Sequence, residues 1–134
     1  MIRPIIKYPD DFLRKKSRKR EFNLDLIQDL KETMKANDGA GLSAVQIGSL
    51  DRVFVSIYDV YVNPVIIFSE GHLSIKEGCL SLPGEEFYIT RASKVKVEYT
   101  NENFINIKKT LIGIEARVFL HEYDHLEGKL IIDY

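Results

Sequence analysis

Cysteine is nearly absent from this chain: one thiol stands among 134 residues. A single thiol closes no internal disulfide, so the fold must rest on its core, and a reducing, intracellular setting is expected. An excess of one charge is missing too. Nineteen basic and twenty acidic side chains leave a formal net charge of -1, which gives no ground for nucleic-acid specificity or for attachment to a membrane surface. The local basic run from Arg14 to Arg20 reads as a solvated face. No apolar run approaches membrane-spanning length. The opening Met-Ile-Arg-Pro-Ile-Ile-Lys-Tyr-Pro is too short and too broken for a signal peptide. A soluble, monomeric protein with one catalytic domain over residues 1–134 is the expectation, large enough to bury about two-thirds of its unfolded surface.

What is present has a simple order. Residues 1–9, with two prolines, read as extended, and Asp10 or Asp11 caps a short helical turn. A first helix is predicted from about Leu24 to Asn37, with Asn23 as N-cap and Leu26, Ile27, Leu30 and Met34 as its apolar stripe. Gly39 is its predicted stop. Alternating residues from Arg52 to Ser69 read as strands, interrupted at Pro64 by an edge or bend. A further strand region at 72–82 closes at Pro83-Gly84. Lys94–Thr100 and the segment through Ile107 form a hairpin. A second helix is predicted from about Leu111 to Leu126, stopped by Gly128, and Lys129 to Asp133 as a short terminal strand. Helix, strands, then helix without regular alternation predicts an α+β fold, with mainly antiparallel sheets packed around the C-terminal helix.

Histidine is scarce: two of the three in the chain lie in His121-Glu122-Tyr123-Asp124-His125. On a helix, positions four apart share one face, so both imidazoles can reach one metal ion with a carboxylate beside them. Ile114, Val118, His121 and His125 step by four, three and four, which places both histidines on the helix's apolar stripe. Two imidazoles buried there need partners.

A catalytic site of this kind needs a third protein ligand and an open position. Nine residues follow His125, and the position six beyond it, where extended protease patterns place a histidine, is Ile131. Glu127 points off the ligand face, so the third ligand is expected upstream. His72 lies in what reads as an exposed turn. Cys79, at the end of a strand, is favoured, because a thiolate suits zinc or ferrous iron and the metal holds it deprotonated.

Three separated motifs then resemble the peptide deformylase family. They are Gly39-Ala40-Gly41-Leu42-Ser43-Ala44-Val45-Gln46, Glu77-Gly78-Cys79-Leu80-Ser81 and His121-Glu122-Tyr123-Asp124-His125. Fainter similarity runs through Tyr8-Pro9-Asp10, Leu13-Arg14 and Asn63-Pro64. The resemblance implies hydrolysis of the formyl group from the initiator N-formylmethionine of new polypeptides in the bacterial cytoplasm. Cys79, His121 and His125 would hold one divalent ion, physiologically Fe2+, with Zn2+, Ni2+ or Co2+ also accepted. Glu122 would carry the proton, and Gln46 and the backbone N–H of Leu80 would donate to the formyl oxygen. The peptide would lie as an added strand against Ala40, Gly41 and Gly78, its methionine against Ile114 and Val118. Glu77, Arg91 and Asp124 would orient the ligands from behind, with Arg91 as partner of Glu77.

The sequence departs from the family pattern at Ser43, where alanine is usual, and at Leu120, where glutamine is common. The end at Tyr134 lacks the family's usual C-terminal extension. That leaves only transient ribosome proximity to expect and points to a minimal, virus- or phage-encoded version. A metallopeptidase and a non-catalytic peptide- or ribosome-binding relative are the alternatives. The absent downstream ligand argues against the first, and the presence of Glu122 and Gln46 against the second.

Overall fold

In the computed structural model, which describes residues 1–134, the side-chain oxygen of Asn23 accepts from the Leu26 N–H at 3.1 Å. This satisfies one of the free donors at the start of helix α1, Leu24–Ala36. Leu26, Ile27 and Leu30 bury one face of α1 against Leu42, Ala44, Ile47, Val53, Val55, Val60 and Val62. The helix gives way through Asn37 to Asp38, whose φ of 52° turns the chain before Gly39 is reached. Ahead of α1, the side chain of Asp10 caps a short 3-10 turn, Asp11–Arg14, as the sequence suggests.

Seven strands follow: β1 Gly41–Ser43, β2 Val53–Ser56, β3 Val60–Glu70, β4 Leu73–Cys79, β5 Leu82–Arg91, β6 Lys94–Thr100 and β7 Asn106–Ile112. Five form one antiparallel sheet in the order β1-β2-β3-β6-β7, and β4 and β5 pair apart from it. The predicted α+β class with mainly antiparallel sheets is what the chain adopts. Pro64 falls where the β3–β6 register shifts, between Val62 and Val65. Its missing N–H therefore interrupts no regular pair.

Three boundaries differ from the sequence expectation. Pro83-Gly84 does not end the strand region. Cys79 pairs with Leu82 and Gly78 with Glu86, so Pro83, Gly84 and Glu85 bulge out and β5 continues to Arg91. Helix α2 spans Gly113–Leu126 and not 111–126, because Leu111 and Ile112 still pair with Val95 and Lys94 of β6. Residues 129–133 make no strand. Ile131–Asp133 is a 3-10 turn, where Asp133 accepts from the Leu130 N–H at 2.8 Å and pairs with Arg14 at 2.6 Å.

Helix α2 lies against the large sheet through Ala116, Phe119 and Leu126. Phe119 meets Phe54 and Tyr61 edge-on, with centroids 5.2 and 5.3 Å apart, arrangements that suit aromatic quadrupoles. The anchored face is thus turned from the predicted stripe. Ile114 is 57% exposed, while Val118, His121 and Glu122 face a cavity. Beyond the helix, the N–H of Gly128 bonds the His125 carbonyl and that of Lys129 bonds the Asp124 carbonyl. Gly128 takes φ 75° and lies so close to Arg14 that a Cβ would sit 2.4 Å from its carbonyl oxygen. This glycine-terminated cap fixes the end of α2 just after His125. No helix is long and apolar enough to cross a membrane.

Candidate active site

Cys79 ends β4, and His121 and His125 occupy successive turns of α2. One ligand atom from each lies within 4.8 Å of the others. The sulfur is 3.4 Å from Nε2 of His125. Burial, with His121 and Arg91 nearby, holds the His125 imidazole well below its ordinary range, so the ring is neutral and offers a lone pair. Its Nδ1 is buried without a hydrogen-bond partner.

His121 is oriented from behind. Its Nδ1 donates to Glu77 Oε1 at 2.8 Å, which leaves Nε2 for the cavity side. Burial alone would lower this imidazole. Cys79, Glu77 and Glu122 outweigh it and raise it to about 10. The donor set of one sulfur and two imidazole nitrogens fits a divalent transition-metal ion. Downstream carboxylates contribute nothing here: Asp133 is held by Arg14, and Glu127 by Arg52 and Lys16.

Glu77 gathers the charges behind His121. Burial would raise its carboxyl, but hydrogen bonds from His121, Arg91 and Arg117 hold it at about 2. Arg91 grips it with Nε at 2.6 Å and Nη2 at 3.0 Å, and reaches Asp124 at 2.7 Å. The pairing of Glu77 with Arg91 is as read from the sequence. Arg117 was missed. It donates to Glu77 Oε2 at 2.6 Å and to the Ile89 carbonyl at 2.8 Å. The available signal was its place on α2, one turn before His121.

Glu122 is 4% exposed and its carboxyl is raised by burial, against the pull of His121 and a hydrogen bond from Ser43. Its Oε2 lies 3.9 Å from His121 Nε2. Gly41 makes room for it, since a Cβ there would sit 2.8 Å from Oε2. Gln46, also buried, accepts from the Ser43 N–H through Oε1 at 2.9 Å. That fixes the amide so that Nε2 donates to Ser81 Oγ at 3.0 Å and lies 3.8 Å from the Cys79 sulfur. Leu80 occupies the turn between β4 and β5.

A cavity of about 610 Å3 opens over these groups. Ala40, Gly41, Gly78, Leu80 and Val118 line it with Gln46, Cys79, His121 and Glu122, while Ile114 does not. The free edge of β1 and the outer edge of β4, each paired on one side only, border it. Lys7, Asn37, Pro83 and Gly84 complete the rim, and no sequence pattern singled them out. His72 lies in the exposed turn after β3, away from the cluster.

Comparison with known proteins agrees over the whole chain. The family model described as polypeptide deformylase matches residues 2–134. A peptide deformylase of Pseudothermotoga lettingae is 43% identical over 99% of this chain and 82% of its own. One of Clostridium botulinum is 44% identical over 98% and 95%. The crystal structure of peptide deformylase from Ehrlichia chaffeensis superposes with a TM-score of 0.96 at 32% identity, covering 100% of this chain and 88% of that one.

Proposed function

The chain belongs to the polypeptide deformylase family, and from that premise we propose which of its residues carry the reaction. The protein is a metal-dependent hydrolase that removes the formyl group from N-formylmethionyl peptides and releases formate. What carries the residue assignment is the convergence of Cys79, His121 and His125 beside the buried carboxylate of Glu122.

Cys79, His121 and His125 are the metal ligands, with Glu77, Arg91 and Asp124 holding them in orientation. When bound, a divalent ion supplies Lewis acidity, polarising the formyl carbonyl and making a water acidic near neutral pH. We assign Fe2+ as the physiological ion; the donor set also accepts Zn2+, Ni2+ and Co2+.

Glu122 is the proton carrier. Its Oε2 faces the cavity beside His121, placed to take the proton of the attacking water and return it to the leaving amine. Gln46, whose Nε2 lies 3.8 Å from the Cys79 sulfur, and the backbone N–H of Leu80 stabilise the negative charge growing on the formyl oxygen. The substrate backbone adds as a strand between the free edges of β1 and β4, against Ala40, Gly41 and Gly78, with methionine against Val118. Residues 1–134 act as one monomeric catalytic unit in the bacterial cytoplasm, meeting nascent chains through transient proximity to the ribosome.

Formate release from a formyl-Met peptide, comparing wild type with Glu122→Ala at equal metal content, tests the assignment. Loss of turnover in the variant supports it. Turnover unchanged by the substitution would remove Glu122 from the proton-carrying role.

A further inference from the structure

Glu122 has one hydrogen-bond donor for its carboxylate: the hydroxyl of Ser43, at 2.8 Å from Oε1. The main-chain carbonyl oxygen of Glu122 lies 3.0 Å from the same hydroxyl, so its single proton is shared between the two acceptors, with the carboxylate the nearer. Ser43 is fully buried on β1, and Glu122 sits on α2 with 4% of its surface exposed. Both groups are thus largely shut off from bulk water. Ser43 also holds the amide of Gln46, through its backbone N–H to Oε1 at 2.9 Å. One residue touches both side chains assigned to the chemistry.

The geometry of the carboxylate gives this contact a directional meaning. A buried carboxylate with one satisfied oxygen has its rotation about the last side-chain bond restricted, since turning would exchange a bonded oxygen for a bare one. Oε1 is the bonded atom and Oε2 the one beside His121 Nε2. Gly41, on the same strand as Ser43, leaves the room that Oε2 occupies: a Cβ there would sit 2.8 Å from it. The bond on Oε1 therefore holds the carboxylate with Oε2 on the His121 side.

We propose that Ser43 is a positioning residue for the deformylation step: its hydroxyl fixes Glu122 with Oε2 directed at the reacting water and keeps it in register with the Gln46 amide. The inference rests on the reading of Glu122 as proton carrier. It assigns work to a buried hydroxyl that bridges β1 and α2.

The test is formate release by wild type, Ser43→Ala, Ser43→Cys, Glu122→Asp and the Ser43→Ala/Glu122→Asp double variant, each at measured metal content. Losing a hydrogen bond to a charged group that acts in the transition state should lower kcat about tenfold in Ser43→Ala with KM unchanged. Ser43→Cys, with a weaker S–H donor of similar size, should fall between. Aspartate is one methylene too short to reach Ser43, so removing the hydroxyl in that background should cost nothing further. Unchanged kcat in Ser43→Ala, or an equal further drop in the double variant, overturns the proposal. So does a loss of metal or thermal stability that accounts for the whole effect in both Ser43 variants, because that is a packing role. If Glu122→Asp is as fast as wild type, it is the proton-carrier reading that fails, and the positioning inference falls with it.

Discussion

Arg117 of α2 donates to Glu77 of β4 at 2.6 Å, joining the helix that carries His121 and His125 to the strand that carries Cys79. The Glu77 carboxylate also takes two bonds from Arg91 and one from His121. All four groups are at most 11% exposed at the side chain.

Glu77→Ala should therefore be among the costliest single changes. It leaves Arg91 and Arg117 as buried cations without their shared partner, a loss of about 3–5 kcal/mol. It also frees His121 Nδ1, which should weaken metal binding by roughly 10- to 100-fold. Chemical denaturation and a metal competition titration check the two effects separately. Stability within 1 kcal/mol of wild type would show that the arginines find other partners.

Gly41→Ala places a methyl group 2.8 Å from Oε2 of Glu122 and 2.9 Å from its Cγ. The carboxylate must move, and a displacement of about 1 Å at a reacting group costs on the order of a hundredfold in rate. Turnover should fall on that scale while the thermal midpoint shifts by only a few degrees. Full turnover would mean that Glu122 has slack which its tight surroundings do not suggest.

Cys79→Ser exchanges a thiolate for a hydroxyl that stays protonated. Metal content after dialysis should drop sharply, and with it formate release. Wild-type metal stoichiometry in this variant would take Cys79 out of the ligand set.

Removing the ion with a chelator should abolish turnover reversibly. Reloading without oxygen should restore more activity with Fe2+ than with Zn2+, and the iron form should decay in air because ferrous iron and a thiolate share the site. Equal and equally durable activity with both ions would argue against iron as the physiological choice.

Phe119→Ala removes a fully buried ring that meets Phe54 and Tyr61. A loss of about 3–5 kcal/mol is expected in guanidinium unfolding. Because Phe119 faces the sheet and not the cavity, KM for the formyl peptide should stay near the wild-type value.

The cluster of Cys79, His121 and His125 could be read from the chain because it is written in scarce residue types at a fixed helical spacing. His121 and His125 need only the four-residue step, and Cys79 is the sole thiol. The start of α2 could not, because Leu111 and Ile112 are claimed by pairing with β6, a non-local competitor that local pattern does not reveal. Ile114 was misplaced for a related reason. Helical spacing defines a stripe but leaves adjacent stripes nearly equivalent, and the packing of Ala116, Phe119 and Leu126 on the sheet decides between them. Pro83-Gly84 looked like a stop because a bulge that absorbs three residues leaves no local mark. Arg117 carried only its position on the helix; its partners lie on β4 and β5.

The β4–β5 pair shares no ladder with the five-stranded sheet, so the protein has a seam, with Cys79 on one side of it and His121 and His125 on the other. Much of what crosses the seam near the site is polar: Glu77 with Arg117 and His121, Arg91 with Asp124, and Arg117 with the carbonyls of Leu73 and Ile89. Such a border should open as a unit, at a free energy below that of global unfolding. Amide hydrogens of Leu73–Arg91 should therefore exchange together, ahead of those in β6 and α2, once the ion is removed. The ion would then act as a latch on local opening as well as a participant in the chemistry.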